Sequence, residues 1–320
     1  MNPLNPLGII HDHVDGCVSL RPMLVDKYGE TRTSEMITKA RIGLRSVRTR
    51  QASLSGLFNF IYNILQDEES IQKAGYLYGK LRAERGYIKA EGIFAPQYLI
   101  NQGLTLKQAT TAMYQGMKMA EKEFGINITP TIAIGRDPSM TPIIANAIAR
   151  IACDYDGEMI LDLVCDEIGY PPELFLPAFK LTFGTNVKRV CHVEVVAATP
   201  THTYWSRIGK NLETALVDMR CHGIQHGSGL IHHPDLIKYV VDHGIRIAGA
   251  PLSNLDLGLV VDIREIGIGR LLDAGVCYTL GPDDDLFMRN LKEVARICNE
   301  RCQFTEQQCC QLEAYALRDL

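Results

Sequence analysis

The sequence predicts an α/β protein of the (β/α)8 TIM-barrel class, with one domain over residues 1–320, extra helices inserted after the first strand and a helical C-terminal tail. Two observations lead there. Eight short apolar segments read as strands, nearly all separated by a helical pattern, and no shift in composition marks a linker between two domains. An open doubly wound sheet is the alternative, but no Gly-x-Gly-x-x-Gly follows any of the strands, which weakens its dinucleotide-binding version.

The first strand, Gly8 to Val14, stops at the turn Asp15-Gly16. A long stretch without another clear strand follows. Arg21-Pro22 opens a helical pattern, and Thr33 to Gln51 carries Lys39, Arg41, Arg45, Arg48 and Arg50 against one acid, Glu35, which reads as a solvated helical face. Leu54 to Tyr62 is apolar enough to pack on the body of the fold or to lie as a lid over a site. Regular alternation then begins. Helix Glu68 to Arg85 precedes strand Tyr87 to Phe94, helix Leu106 to Phe124 precedes strand Asn127 to Gly135, and helix Met140 to Tyr155 precedes strand Met159 to Cys165. Helix Pro172 to Phe183 leads to strand Asn186 to Val195, and a long loop from Val195 to Lys210 separates that strand from helix Asn211 to Met219. Strand Gly223 to His226, helix Pro234 to Asp242, strand Ile245 to Pro251, helix Ile263 to Ala274 and strand Val276 to Leu280 complete the set.

Composition narrows the function. With 33 basic and 37 acidic residues the net charge is -4, which gives no electrostatic reason to expect nucleic acid or a membrane surface and suits a small neutral ligand. The start of the chain lacks the basic and apolar regions of a signal peptide, and no apolar run approaches the ~20 residues of a membrane span, so a cytoplasmic protein is expected. The ten cysteines are scattered without a Cys-x-x-Cys and read as thiols, most of them small buried residues.

A barrel of this class builds its site from the C-terminal ends of its strands. Strand one ends in His11, His13 and Asp15; strand four in Asp162, Cys165, Asp166 and Glu167; strand five in His192 and Glu194; strand six in His226; strand seven in Ser253-Asn254; strand eight in Asp283-Asp284-Asp285. Residues two apart on a strand face the same side, so His11 and His13 present two imidazoles to one space. Closure puts strand eight beside strand one and brings Asp283 to that pair. Any one strand-end His or Asp is more often a cap or an ion-pair partner, and the coincidence over four strands is what points to a metal. His11, His13, His192 and Asp283 form a nitrogen and oxygen donor set suited to Zn2+, one per chain, and tolerated by iron or manganese. Such an ion lowers the pKa of bound water; Asp284 or His226 is placed to orient that water, and Glu194 to carry a proton. Glu213 and His232-His233 lie away from strand ends and read as surface residues.

His11-Asp12-His13-Val14-Asp15-Gly16 with Ser19-Leu20-Arg21-Pro22 resembles the opening motif of the adenosine deaminase family, usually His-x-His-Leu-Asp-Gly-Ser-Leu-Arg-Pro. Phe94-Ala95-Pro96-Gln97, Gly103-Leu104-Thr105-Leu106, Asp162-Leu163-Val164-Cys165-Asp166-Glu167, Ile224-Gln225-His226-Gly227, Ser253-Asn254-Leu255 and Pro282-Asp283-Asp284-Asp285-Leu286-Phe287 resemble family segments in family order. The resemblance implies a metal-dependent barrel that hydrolyses the 6-amino group of adenosine-type purines. It implies His11, His13, His192 and Asp283 as zinc ligands, His226 and Asp284 as groups that orient the attacking water, and Glu194 as proton shuttle. It further implies Asp15 as partner of the ribose 5′-hydroxyl, Cys165, Asp166 and Glu167 beneath the purine, and Leu57, Phe58, Phe60 and Ile61 as an apolar lid. The expected partner is a small-molecule purine nucleoside.

Three departures from the pattern are expected to fall on the pocket. The usual His-Ala-Gly-Glu is His192-Val193-Glu194 here, so the glutamate comes one residue early, on the face of His192 unless a bulge or turn intervenes; His202 is a substitute shuttle. Cys165 stands where the family has glycine, and Cys17 and Val18 lengthen the first loop. His192-Val193-Glu194 also matches the His-x-Glu of cytidine-type deaminases, but no Pro-Cys-x-x-Cys follows. The departures motivate two alternatives: a catalytically weak or inactive relative that binds a purine nucleoside, or a metal-dependent barrel hydrolase with another substrate.

Overall fold

Eight strands, β1 (Gly8–His13), β2 (Lys89–Phe94), β3 (Asn127–Arg136), β4 (Ile160–Cys165), β5 (Lys188–Val193), β6 (Gly223–His226), β7 (Arg246–Gly249) and β8 (Cys277–Leu280), lie in sequence order in one parallel sheet. They come from a computed structural model that describes residues 4–47, 54–100, 102–193 and 202–320. The sheet closes at its C-terminal rim: the His13 amide donates to the Asp283 carbonyl at 3.2 Å, and the Asp283 amide donates to the His11 carbonyl at 3.1 Å. The closed barrel expected from the sequence is the one observed.

Parallel neighbours need crossover connections, and helices supply them. Four helices, α1 (Arg21–Tyr28), α2 (Glu30–Val47), α3 (Leu54–Tyr62) and α4 (Glu68–Glu84), fill the long excursion between β1 and β2. Next come α5 (Leu106–Phe124) after β2, α6 (Pro142–Cys153) after β3, α7 (Leu176–Lys180) after β4 and α8 (His202–Glu213) before β6. The last part holds α9 (Pro234–Asp242), α10 (Pro251–Asp256), α11 (Ile268–Asp273) and the tail helices α12 (Leu291–Cys302) and α13 (Glu306–Tyr315). Local chemistry sets the ends. Helix α5 starts in a Thr105/Gln108 capping box and stops at Gly125, whose φ of 71° takes the chain out of the helix. It packs tightly on α4: a Cβ on Gly116 would lie 1.9 Å from the Gln72 carbonyl oxygen.

The structure corrects several boundaries. The loop expected up to Lys210 gives way to helix from His202, where Ile208 and Leu212 are buried one turn apart amid polar residues that hide the period. The pattern from Ile263 to Ala274 splits at Gly267, with φ 67°, into a short turn and α11. Pro251 opens α10 instead of ending β7, since a first-turn proline gives up no helical hydrogen bond. No helix among the described residues is long and apolar enough to cross a membrane.

The N-terminal mouth of the barrel is sealed. Glu91 of β2 and Arg246 of β7 form a buried bidentate pair, Nη1 to Oε1 at 2.7 Å, and the Lys89 ammonium donates to the Arg318 carbonyl at 2.9 Å and the Asp319 carboxylate at 2.6 Å. A charge stranded by loss of its buried partner costs far more than an apolar pair of similar volume. Glu91→Leu is therefore expected to lower unfolding free energy by about 3–5 kcal/mol, and Glu91→Leu with Arg246→Met to recover most of it. Urea titrations of the two variants provide the comparison, and equal losses would show that the pairing is not what matters.

Candidate active site

The opposite rim carries the polar strand ends. Between Ile9 and Asp12 strand β1 holds one residue more than its partner β2, a bulge at which His11 takes φ 59°. The two imidazoles share one space as expected, with ring centroids 5.8 Å apart, but a bulge sets their positions where an unbroken period of two was expected. His226 (φ 61°), Asp283 (φ 64°) and Cys165 (φ 73°) also adopt left-handed backbone at their strand ends.

His11, His13, His192, His226 and Asp283 converge. Asp283 Oδ1 lies 3.4 Å from His13 Nε2 and 3.6 Å from His11 Nε2; His13 Nε2 lies 3.2 Å from His192 Nε2, and His226 Nε2 lies 3.9 Å from Asp283 Oδ2. Three of the four rings are aimed by their other nitrogen. His11 Nδ1 meets the Ala248 carbonyl at 2.8 Å, His192 Nδ1 meets Asp162 at 3.1 Å, and His226 Nδ1 meets the Asn254 side-chain oxygen at 2.8 Å. Ser253 donates to Asp283 Oδ2 at 2.6 Å.

Burial pushes the pKa of His11, His13 and His192 down, and that of His226 down to about 4. Burial would push the Asp283 carboxyl up, but the His11, His226 and His13 rings with the Ser253 hydroxyl hold it below its ordinary value. Imidazoles that release their proton readily and a carboxyl held acidic suit the deprotonated ligand forms a divalent cation requires. His11 Nε2 is buried without a hydrogen-bond partner. Two ligands about 2.1 Å from a tetrahedral zinc sit roughly 3.4 Å apart, and the 3.2, 3.4 and 3.6 Å separations match. The residues fit a metal.

Beside this centre a pocket encloses about 570 Å³, its mouth included. Asp15, Phe58, Cys165, His192, His226, Asp283 and Asp284 line it together with His13, so these expected residues share one site. Burial lifts the Asp15 carboxyl to about 7 and the Cys165 thiol to about 12. Asp284 is raised well above its ordinary value by burial and by Asp283 and Asp15, and its Oδ1 is buried unpartnered against Gly16, where a Cβ would fall 1.6 Å away.

Other expected residues lie elsewhere. Leu57, Phe60 and Ile61 do not line the pocket: Leu57 reaches Gly43 of α2, Ile61 is buried in the core, and Phe60 meets Phe287 edge-on at 6.2 Å. One face of a short helix cannot hold all four lid residues, and Phe58 alone of the four reaches the pocket. Asp166 accepts the Ile168 and Gly169 amides at 3.1 and 3.0 Å, and Glu167 accepts from Asn211 at 2.6 Å; neither lines the pocket. Cys17 and Val18 also lie off it, in a network where Arg82 donates to Cys17 Sγ at 3.1 Å and the Val18 amide to Asp285 at 2.9 Å. Glu194 falls outside the described residues, as does the His202 side chain. Sequence reasoning missed Tyr62, Tyr98, Leu257 and Met288 in the wall. Tyr62 stacks on Tyr98 at 4.9 Å, and position 62, ending the apolar run, was its only visible signal.

The sequence model of the family described as adenosine deaminase matches residues 6–319. An adenine deaminase of Aspergillus fumigatus is 24% identical over 292 residues, covering 87% of this chain and 78% of its own. An adenosine deaminase of Enterococcus faecalis is 24% identical over 282 residues, covering 86% and 79%. Among solved structures, an amidohydrolase of Burkholderia ambifaria with bound Zn aligns at a TM-score of 0.78 and 19% identity, over 97% of this chain and 84% of its own, a likeness of fold. Because the family match runs through nearly every strand and helix that frames the histidine cluster, this chain belongs to the adenosine deaminase family.

Proposed function

We propose that the chain hydrolyses adenosine or a related 6-aminopurine nucleoside to the 6-oxo product and ammonia, with one zinc held by His11, His13, His192 and Asp283. The observation that carries this reading is the set of three imidazoles and one carboxylate at ligand-to-ligand separations, opening on a pocket that also holds Asp15 and Asp284. Relatives named for adenine and for adenosine support a purine, and the Zn of the Burkholderia protein supports the metal. A divalent ion in this donor set supplies the Lewis acidity that makes water a nucleophile near neutral pH.

The protein's own groups do the rest. The Asn254 amide nitrogen donates to Ser228, so its oxygen faces His226 and holds that ring with Nδ1 protonated. His226 then offers a bare Nε2 to a proton of the attacking water. Asp284 lines the same pocket and helps to orient that water. Asp15, lifted to about 7, is poised to exchange hydrogen bonds with a sugar hydroxyl, which favours a nucleoside over a free base. Cys165 lies beneath the base, with Phe58 shutting out bulk water, and Glu194 delivers the proton to purine N1.

Purified protein is expected to hold one zinc per chain and to convert adenosine to inosine, followed by the loss of adenosine absorbance. A chelator should abolish the activity and zinc restore it; metal and tight nucleoside binding without ammonia release would identify an inactive relative instead. Asp284→Asn should lower kcat by about 10²–10⁴-fold with zinc retained. Gly16→Ala should act in the same direction, because its Cβ displaces the Asp284 carboxylate. Glu194→Gln should stop turnover and keep the metal, and a variant as active as wild type would remove Glu194 from the reaction.

A further inference from the structure

The ladder between β4 and β5 is short. Only Ile160↔Lys188 and Leu161↔Arg189 pair, whereas β3 and β4 stay paired up to Arg136↔Cys165 and β5 and β6 up to Val193↔His226. The sheet therefore parts at the rim, beside His192. Arg136 spans the opening from β3: its Nε donates to the Val164 carbonyl of β4 and its Nη2 to the His192 carbonyl of β5, each at 3.0 Å.

The placement is costly. Arg136 is 0% exposed, its Nη1 is buried without a partner, and among the described residues no carboxylate lies in ion-pair contact with it, although its charge acts on Asp162. A buried cation without an ion pair is unfavourable, and an apolar side chain would fill the same gap at less cost. The planar fork, however, reaches two carbonyls on two separated strands at once, which neither an apolar group nor a single amine does. His192 is thus held at both ends, its ring by Asp162 at 3.1 Å and its backbone by Arg136.

We infer that Arg136 is a positioning residue for the metal centre, replacing the absent β4–β5 rungs so that the His192 ring stays in register with His11 and His13. This rests on the reading of His192 as a ligand. Partners that orient metal ligands are typically worth 10–100-fold in affinity.

The test measures zinc affinity by competition with a chromogenic chelator, alongside urea unfolding of the metal-free protein. Arg136→Met is expected to weaken zinc binding by about 10–100-fold, more than any change in metal-free unfolding accounts for, and Arg136→Lys, able to serve one carbonyl, to fall between it and wild type. Once loaded with excess zinc, Arg136→Met should show a reduced kcat for adenosine with KM near wild type. Wild-type zinc affinity in Arg136→Met would overturn the inference, as would a loss confined to metal-free stability. If Arg136→Met does not fold, Arg136→Lys decides the point: unchanged affinity overturns the inference and a several-fold loss supports it. Wild-type protein without zinc affinity would instead bring down the ligand reading, and this inference with it.

Discussion

Closure of the last strand onto the first is the contact on which the site depends. The amide and carbonyl exchange among His11, His13 and Asp283 brings a carboxylate from one end of the chain to an imidazole pair at the other. Gly281 makes the approach possible, since a Cβ there would lie 2.5 Å from the Ile10 carbonyl oxygen. The residues at this seam divide into two groups. His11, His13, Asp283 and Asp284 turn inward, while Asp12 and Asp285 turn outward onto the same arginine. Arg82 of α4 bonds both Asp12 oxygens at 2.6 and 2.8 Å and Asp285 at 2.7 Å. One buried guanidinium thus clamps both sides of the seam from behind while the inward groups face the pocket.

Burial then decides protonation. The histidines sit too deep to hold a charge, so their ring nitrogens stay available as lone pairs. Asp283 shares its proton balance with the rings beside it, which together with the Ser253 hydroxyl hold its carboxyl below the ordinary value, whereas the adjacent Asp284 is pushed the other way by burial and by Asp283 itself. Adjacent carboxyls are therefore shifted in opposite directions, Asp283 toward the anion and Asp284 toward the protonated acid. Asp285, one residue further, is pushed up by burial but held at about 2 by Arg82, the Val18 amide and Arg85. Three consecutive aspartates in three environments take three roles.

Much of this was legible in the sequence. The eight strands, their order and the polar residues at their ends follow from periodicity and turns, and the ends are where this fold puts chemistry. What stayed hidden depends on contacts distant in sequence. Nothing around Arg82 or Arg136 tells that the one meets Asp12 and Asp285 and the other the His192 backbone, since an arginine in a helix or at a strand end is ordinarily solvated. Leu57, Phe60 and Ile61 are implied as lid residues by the family resemblance, which does not say which face of α3 turns inward. The bulge at His11 was hidden for a different reason: a strand with one extra residue has the same pattern as a regular strand until its partner's register is known.

The left-handed residues complete the picture. His11, Cys165, His226 and Asp283 adopt a backbone that costs a side chain-bearing residue roughly 1 kcal/mol or more, and all four stand at the site, His11 at the β1 bulge and the others at or just past strand ends. Three of them are held there by other bonds: His11 by the Ala248 carbonyl and the seam, His226 by Asn254, and Asp283 by Ser253 and the His11 carbonyl. The strain is the geometric cost of convergence, and the surrounding hydrogen bonds hold these side chains around one point.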